Sequence, residues 1–173
     1  MAYRQCYQGL DLLLESLPEV FRRSPQTCCV VIGGEPEQIE AFRRRAGELG
    51  VGSQMRWLGK RPIPETLRTM RLADVLVSPM TQEKAVPMKL YAYMASGVPI
   101  VATDIPNHNL VLDAQSAVLV PPEAPALAGG ILKALEDREG ARRMGERALR
   151  SVLMRRRDNP VEEAVGGVYR LLK

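Results

Sequence analysis

Short apolar runs alternate with amphipathic stretches along most of the chain. The apolar runs at 27–32, 54–58, 74–78, 99–103 and 117–120 predict five strands, and the stretches between them predict helices. Strands that alternate with helices form parallel sheets through right-handed crossovers, with helices on both faces. The pattern therefore predicts an α/β fold, a Rossmann-like doubly wound parallel sheet of about five to six strands. Ligands bind such sheets beyond the carboxyl ends of the strands.

The predicted helices differ in how clearly their ends are marked. The helix at 87–96 is the clearest, since a proline opens it and Gly97 follows its last residue. Pro18 lies inside the helix predicted at 9–23 and indicates that this helix bends or is divided. Further helices are predicted at 37–49, at 62–72 and over most of the chain after Glu123.

Length and composition favour one domain of this class. The 173 residues fit a single domain, 1–173, and 46% hydrophobic with only 5% aromatic residues suits helices packed on a sheet. The net charge of +4 comes partly from arginine clusters at 43–45 and 155–157, which lack interleaved aromatic residues. We therefore expect solvated basic helix faces and no nucleic-acid binding. The alternative is attraction to an anionic membrane or partner surface.

The cysteines and the hydropathy of the chain indicate where in the cell the protein is expected. The three cysteines, Cys6, Cys28 and Cys29, form neither a disulfide framework nor a metal-binding pattern, and they favour a reducing cytosol. No apolar run is long enough to span a bilayer, and the N-terminus lacks the apolar core of a signal peptide. The expected localisation is cytoplasmic, with peripheral association at the inner membrane face as an option.

The segment from Pro79 to Leu90 is the best candidate for an anion site. A helix that starts at the carboxyl end of a strand presents unpaired backbone N–H groups and the positive end of its dipole. Lys84 and Lys89 lie close to this helix start and could neutralise a departing diphosphate. The alternative is that both lysines are ordinary surface residues.

Other patterns exclude several enzyme classes. Gly33 and Gly34 follow a strand, but neither a Gly-x-Gly-x-x-Gly signature nor a phosphate loop is present, which disfavours dinucleotide binding and nucleoside triphosphatase activity. His108 is the only histidine, so no Ser-His-acid set can be assembled, and we expect a structural role for it. The absence of an Asp-x-Asp triplet predicts that no metal is required.

Several segments in order resemble the C-terminal domain of family 4 glycosyltransferases, one half of the two-Rossmann-domain GT-B fold. They are Tyr7-Gln8-Gly9, Val31-Ile32-Gly33-Gly34, Trp57-Leu58-Gly59, Leu72-Ala73-Asp74-Val75-Leu76-Val77-Ser78-Pro79 and, most specific, the run from Pro87-Met88-Lys89-Leu90 to Val101-Ala102-Thr103-Asp104. The resemblance implies a nucleotide-sugar-binding domain that works with an N-terminal acceptor domain, which is absent from this chain.

The resemblance also implies a function. It predicts transfer of a hexose-type sugar from a UDP or GDP donor to an acceptor, with retention at the anomeric carbon, by a domain that is inactive alone. The nucleoside-diphosphate sugar is a substrate, and no cofactor is expected. The predicted donor site comprises Gly33, Gly34, Gly59, Lys60, Arg61, Pro62, Glu83, Lys84, Pro87, Met88, Lys89 and Leu90. Within it the loop 59–62 is expected to hold the base, and Lys89, Lys84 and Glu83 to contact the leaving group or the donor sugar.

The chain departs from the family pattern at three positions. Ala92 replaces the glutamate that holds the ribose, Lys84 falls where the first family glutamate stands, with Glu83 beside it, and Gln8 replaces a basic residue. Two hypotheses follow. Either the domain binds the donor through backbone groups and Lys89, which we favour, or it is a degenerate, non-catalytic interaction module or split-enzyme subunit that pairs with a separate N-domain. A nucleotide-sugar epimerase is a more distant alternative.

Overall fold

The computed structural model describes residues 8–82 and 88–155, in which seven helices and five strands alternate. The helices are α1 (Leu10–Arg23), α2 (Pro36–Glu48), α3 (Ile63–Arg71), α4 (Met88–Ser96), α5 (Pro106–Asn109), α6 (Ala124–Glu136) and α7 (Arg138–Arg155). The strands are β1 (Cys29–Ile32), β2 (Met55–Gly59), β3 (Leu76–Ser78), β4 (Ile100–Thr103) and β5 (Val118–Val120). The predicted α/β class is therefore confirmed.

The five strands form two parallel sheets. β1 pairs with β2 in one sheet, and the other sheet has the order β3-β4-β5. In the first sheet Cys29 lies opposite Met55, and a bulge near its end brings Ile32 opposite Gly59. Each sheet is parallel, as predicted, but among the described residues no strand pairs β1 with β3. The division into two sheets was not predicted.

Helix α1 joins the two sheets. Its apolar side chains recur at the spacing of one helix face and are all buried or half-buried: Leu10, Leu13, Leu14, Leu17, Val20 and Phe21. This face packs in one apolar cluster with Val31 and Trp57 of the first sheet and with Val77 and Val101 of the second. The helix runs unbroken through Pro18, whose ring is exposed, so the predicted division does not occur.

The two sheets differ in burial. All four residues of β4 are buried, because helices cover the second sheet closely. The prediction of a buried strand at 27–32 is wrong in degree, since Cys29, Val31 and Ile32 are only half-buried and Val30 is 43% exposed. Within residues 8–82 and 88–155, β1 has a neighbouring strand on one side only.

Candidate functional site

A cleft of about 1350 Å³ lies between β1 and β3 and extends to their carboxyl ends. Near these carboxyl ends, the wall of the cleft includes the predicted residues Gly33, Gly34 and Lys89, together with Gln8 and Pro79. The volume exceeds the roughly 300–1,000 Å³ of common small-molecule sites. The structure brings the predicted residues Gly33, Gly34 and Lys89, which come from two separate segments, to one opening.

Lys89 is the charged group most enclosed at this end of the cleft. It is the second residue of α4, and its Nζ donates a hydrogen bond of 2.8 Å to Oε1 of Gln8. Burial lowers the pKa of Lys89 from its usual value to about 8. An ammonium that loses hydration in this way gains more from a bound anion than a solvated surface lysine does. The position thus favours a binding role over that of an ordinary surface lysine.

The residue before α1 is held against the end of β3. Gly9 adopts φ 72°, and a Cβ built there would lie 1.5 Å from the carbonyl oxygen of Pro79. No other residue fits this close backbone approach without movement of one segment. The glycine therefore fixes Gln8 beside Lys89.

A buried polar network ties together the carboxyl ends of β3 and β4. Nε2 of His108 lies 3.1 Å from Ser78 Oγ, and Nδ1 lies 2.7 Å from the Thr103 carbonyl oxygen. Thr103 Oγ1 in turn donates to the carbonyl oxygen of Met80 at 2.6 Å. Because the carbonyl can only accept, the assigned tautomer carries its proton on Nδ1, and Nε2 accepts from Ser78.

Burial keeps His108 neutral, although its hydrogen bond to the Thr103 carbonyl oxygen raises the pKa of the ring. The side chain is fully buried, and burial is the main cause that lowers its pKa, with a smaller contribution from the charge of Lys89. A neutral, fully bonded ring positions the loop after β3 and does not exchange protons with the cleft. The arrangement agrees with the structural role expected for this residue.

The glycine loop after β1 leaves open space. Gly33 and Gly34 have φ 106° and 88°, and no atom lies within 4 Å of a Cβ built on Gly33. The Gly33 N–H donates to the Gly59 carbonyl oxygen at 2.7 Å, so the loops after β1 and β2 are joined. A phosphate or sugar group of a ligand can therefore approach Gly33 closely.

The predicted base loop at 59–62 lies beside the cleft and does not line it. Lys60 forms an exposed ion pair with Glu35, and Arg61 lies 3.2 Å from Glu65. Of the two predicted residues that flank Lys89, Met88 is 54% exposed and Leu90 has its side chain in the core. Leu90 can therefore contribute only backbone atoms.

Three predicted site residues lie outside the described residues: Glu83, Lys84 and Pro87. Sequence reasoning also missed wall residues. Tyr93 lines the cleft one helical turn after Lys89, and burial raises the pKa of its hydroxyl to about 12, which keeps it protonated. The i, i+4 spacing on α4 is the signal that could have found it.

Other chemistry is limited in the described part of the chain. Burial raises the pKa of the Cys29 thiol to about 12, so it is not poised as a nucleophile. No group of three or more His, Cys, Asp or Glu side chains within residues 8–82 and 88–155 could hold a metal ion. Over the same residues, no helix combines the length and the apolar character needed to cross a membrane.

Comparison with known proteins identifies the family. The family model described as "Glycosyl transferases group 1" matches residues 2–137. The chain belongs to this family. The expected resemblance is thus confirmed over most of the chain.

Relatives and solved structures agree with this assignment. Over 142 residues the chain is 32% identical to the phosphatidyl-myo-inositol mannosyltransferase of Mycobacterium tuberculosis, covering 78% of this chain and 36% of the relative. It is 31% identical to the D-inositol 3-phosphate glycosyltransferase of Corynebacterium glutamicum over 152 residues, which are 84% of this chain and 36% of the relative. The chain therefore spans about a third of the length of these relatives.

The fold of the domain matches that of a solved protein in complex with UDP. The crystal structure of HepE from Anabaena in complex with UDP superposes with a TM-score of 0.78 at 18% identity, covering 98% of this chain and 45% of that one. At this identity the likeness shows the fold. It confirms the Rossmann-like class of this family domain.

Proposed function

We propose that this chain is the donor-binding domain of a glycosyltransferase that moves a hexose-type sugar from a nucleoside diphosphate to an acceptor. The observation that carries the proposal is the half-buried ammonium of Lys89 in the cleft at the carboxyl ends of the strands. Family membership supports the reaction class. The complex of HepE with UDP supports a uracil nucleotide, and the mycobacterial relative's name points to mannose as the sugar.

In the proposed reaction the bond between the anomeric carbon and the β-phosphate oxygen breaks, and the acceptor oxygen forms the new bond to that carbon. The electron pair of the broken bond stays on the diphosphate, and the proton of the acceptor hydroxyl passes to an oxygen of the departing diphosphate. Lys89 and the free N–H groups in the first turn of α4 stabilise this charge as it develops. Fixed donors of this kind take the place of a cation, so the proposed transfer is independent of metal. Retention at the anomeric carbon is part of the proposal on the strength of the family resemblance.

Further parts of the proposal concern what surrounds the domain. An N-terminal domain, in the same polypeptide or a separate one, supplies the acceptor site, so the isolated chain binds donor without turnover. The proposed setting is the cytoplasm, at the inner membrane face. The exposed arginines of α7, such as Arg143 and Arg147, are the surface that would meet anionic lipid.

Calorimetric titration of the chain with UDP, GDP, UDP-glucose and GDP-mannose tests the donor site. We expect saturable binding of one nucleotide series, weakened roughly tenfold or more in Lys89→Ala. Lys133→Ala is the matched control, since Lys133 is an exposed lysine on α6, away from the cleft. Binding that EDTA leaves unchanged would support independence from metal. Equal binding by the wild type and Lys89→Ala would refute the assigned role of this lysine.

The non-catalytic alternative makes the opposite prediction. If the chain is an interaction module, a folded wild-type domain binds none of the four nucleotides, and Lys89→Ala has no effect on association with a partner. An exposed apolar patch on the cleft side of the sheet would favour this second candidate, whereas the single half-exposed valine there, Val30, is ordinary for a protein surface.

A further inference from the structure

The side chain of Gln8 connects the segment before α1 to the first turn of α4. Its Oε1 accepts the 2.8 Å hydrogen bond from Nζ of Lys89, and both residues line the cleft. An ammonium group can only donate, so the oxygen of the Gln8 amide, and not its nitrogen, must face Lys89. The contact therefore fixes the orientation of the Gln8 amide.

The backbone on both sides of this contact is held in place. Gly9 follows Gln8 directly, and its close approach to the carbonyl oxygen of Pro79 holds this segment against the end of β3. On the other side, Lys89 precedes Leu90, whose fully buried side chain anchors the first turn of α4 in the core. The contact between the two side chains is therefore preformed in the protein without a ligand.

Lys89 needs an acceptor because it has lost much of its hydration. Burial lowers its pKa to about 8, and no carboxylate among the described residues contributes to this pKa. The ring of His108 is close enough for the charge of Lys89 to lower its pKa, but the ring is neutral. Several acidic residues line the same cleft without forming an ion pair with Lys89: Asp11, Glu15, Glu35, Glu37 and Glu48.

A neutral acceptor affects the ammonium differently from a carboxylate or an apolar side chain. A carboxylate would hold the ammonium but cancel its charge. An apolar side chain would leave the charge without a partner in a place where water is scarce. The amide oxygen of Gln8 makes a charge-assisted hydrogen bond and leaves the net charge of Lys89 available to an anion.

We propose that Gln8 is a positioning residue of the donor site, whose amide oxygen holds the Lys89 ammonium in the cleft and leaves its charge free for the diphosphate. This role rests on the proposed function, because Lys89 has this task only if the cleft binds a nucleoside diphosphate. Gln8 acts through Lys89, and its own contact with the donor is not required.

The first test is the pKa of Lys89 in two variants without nucleotide. Gln8→Glu places an opposite charge beside the ammonium and should raise this pKa above the wild-type value, whereas Gln8→Met removes the acceptor and should lower it. A pH titration followed by NMR of isotope-labelled lysine side chains measures the pKa, and Lys89→Arg identifies the signal. An unchanged pKa in both variants would overturn the proposal.

The second test is nucleotide affinity in the same two variants. In calorimetric titrations with UDP and GDP at neutral pH, we expect Kd to rise roughly fivefold in Gln8→Met and roughly tenfold or more in Gln8→Glu. Both variants should therefore bind more weakly although the pKa of Lys89 moves in opposite directions. General damage to the fold would not produce this combination, and circular dichroism reports whether each variant is folded.

Gln115→Met is the matched control, because Gln115 is exposed before β5 and does not line the cleft. It should leave the pKa of Lys89 and the Kd for nucleotide unchanged. If the wild type binds neither UDP nor GDP, the donor function and the role of Gln8 are refuted together. If the wild type binds and Gln8→Met has the same Kd, only the role of Gln8 is refuted.

Discussion

The β1–β2 sheet and the β3-β4-β5 sheet have the same parallel pairing but reach different degrees of burial. Every residue of β4 is buried, and a network centred on His108 locks the ends of β3 and β4 together. In β1 the side chains are half-buried or exposed. The ion pair between Glu35, which follows β1, and Lys60, which follows β2, lies at the surface.

The difference in burial separates the part of the domain that holds Lys89 from the part that holds the Gly33 loop. The second sheet is closely covered by helices and presents Lys89 at the end of its cleft side, and among the described residues α1 packs against both sheets. A donor that contacts both Lys89 and the Gly33 loop would therefore contact elements of both sheets.

The largest expected effect is at the contact where α1 meets the end of β3. Gly9→Ala should lower the free energy of unfolding by about 3 kcal/mol, because it adds a backbone clash to a left-handed conformation. Gly50→Ala is the control, since Gly50 has the same φ of 72° but nothing within 4 Å of a built Cβ. It should cost about 1 kcal/mol. Urea unfolding measures both, and equal losses would show that the Pro79 contact is unimportant.

A second prediction concerns the network of the second sheet. His108→Leu should cost about 2 kcal/mol in unfolding free energy, because the Ser78 hydroxyl and the Thr103 carbonyl lose buried partners. Asn109→Ala, one residue away in α5, removes only an exposed bond to Asp104 and should change stability by less than about 0.5 kcal/mol. Similar small changes in both variants would contradict the idea that this sheet is locked.

The same histidine predicts a dependence on pH. Its pKa is lowered in the folded state, so the unfolded chain takes up the proton first as the pH falls. The contribution of His108 to stability is therefore fully present above about pH 6.5 and is lost below it, until the lowered folded pKa is reached. Urea midpoints between pH 7.5 and 5 should fall more steeply for the wild type than for His108→Leu. Parallel profiles would disprove this origin.

A third prediction separates stability from binding at Lys89. Because burial lowers the folded pKa of Lys89 to about 8, its ammonium, which is still the major form at pH 7, costs more free energy in the fold than in the unfolded chain. Lys89→Met should therefore raise the unfolding free energy by about 1 kcal/mol. The same variant should lose nucleotide binding. In the wild type, nucleotide affinity should decline as the pH rises through about 8, whereas Lys89→Arg should keep it. A less stable Lys89→Met with normal binding would argue for a structural lysine.

The smallest effect is expected in the first sheet. Lys60→Ala should change the unfolding free energy by less than about 0.5 kcal/mol, because its ion pair with Glu35 is exposed and screened by salt. A loss above 1.5 kcal/mol, of the size expected at His108, would remove the contrast between the two sheets. Thermal melts at low and high salt provide the measurement.

The sequence predicted the order of elements well because their signals are local. Apolar periodicity found all five strands, and the proline and glycine around α4 marked that helix. The position of Lys89 at the start of a helix was also predictable, since it depends on chain order alone. The side chain of Leu90 shows the limit, because its burial in the core depends on the facing elements.

Other features arise from contacts between distant segments. The hydrogen bond from Lys89 to Gln8 joins residues 81 positions apart, and no pattern near either residue predicts it. The network around His108 likewise joins three segments, although the sequence indicated a structural role for a lone histidine. The exposure of β1 could not be predicted from its apolar run, since an apolar strand looks the same with or without a second neighbour.

By itself, the sequence determined the α/β class, the family and the helix start that carries the candidate anion site, because hydropathy period and helix punctuation are properties of neighbouring residues. Only the tertiary structure decided that the strands form two sheets, that Gly9 meets Pro79, and that Lys89 loses enough water to shift its pKa. These properties depend on which segments pack together, since burial and strand pairing are set by neighbours in space.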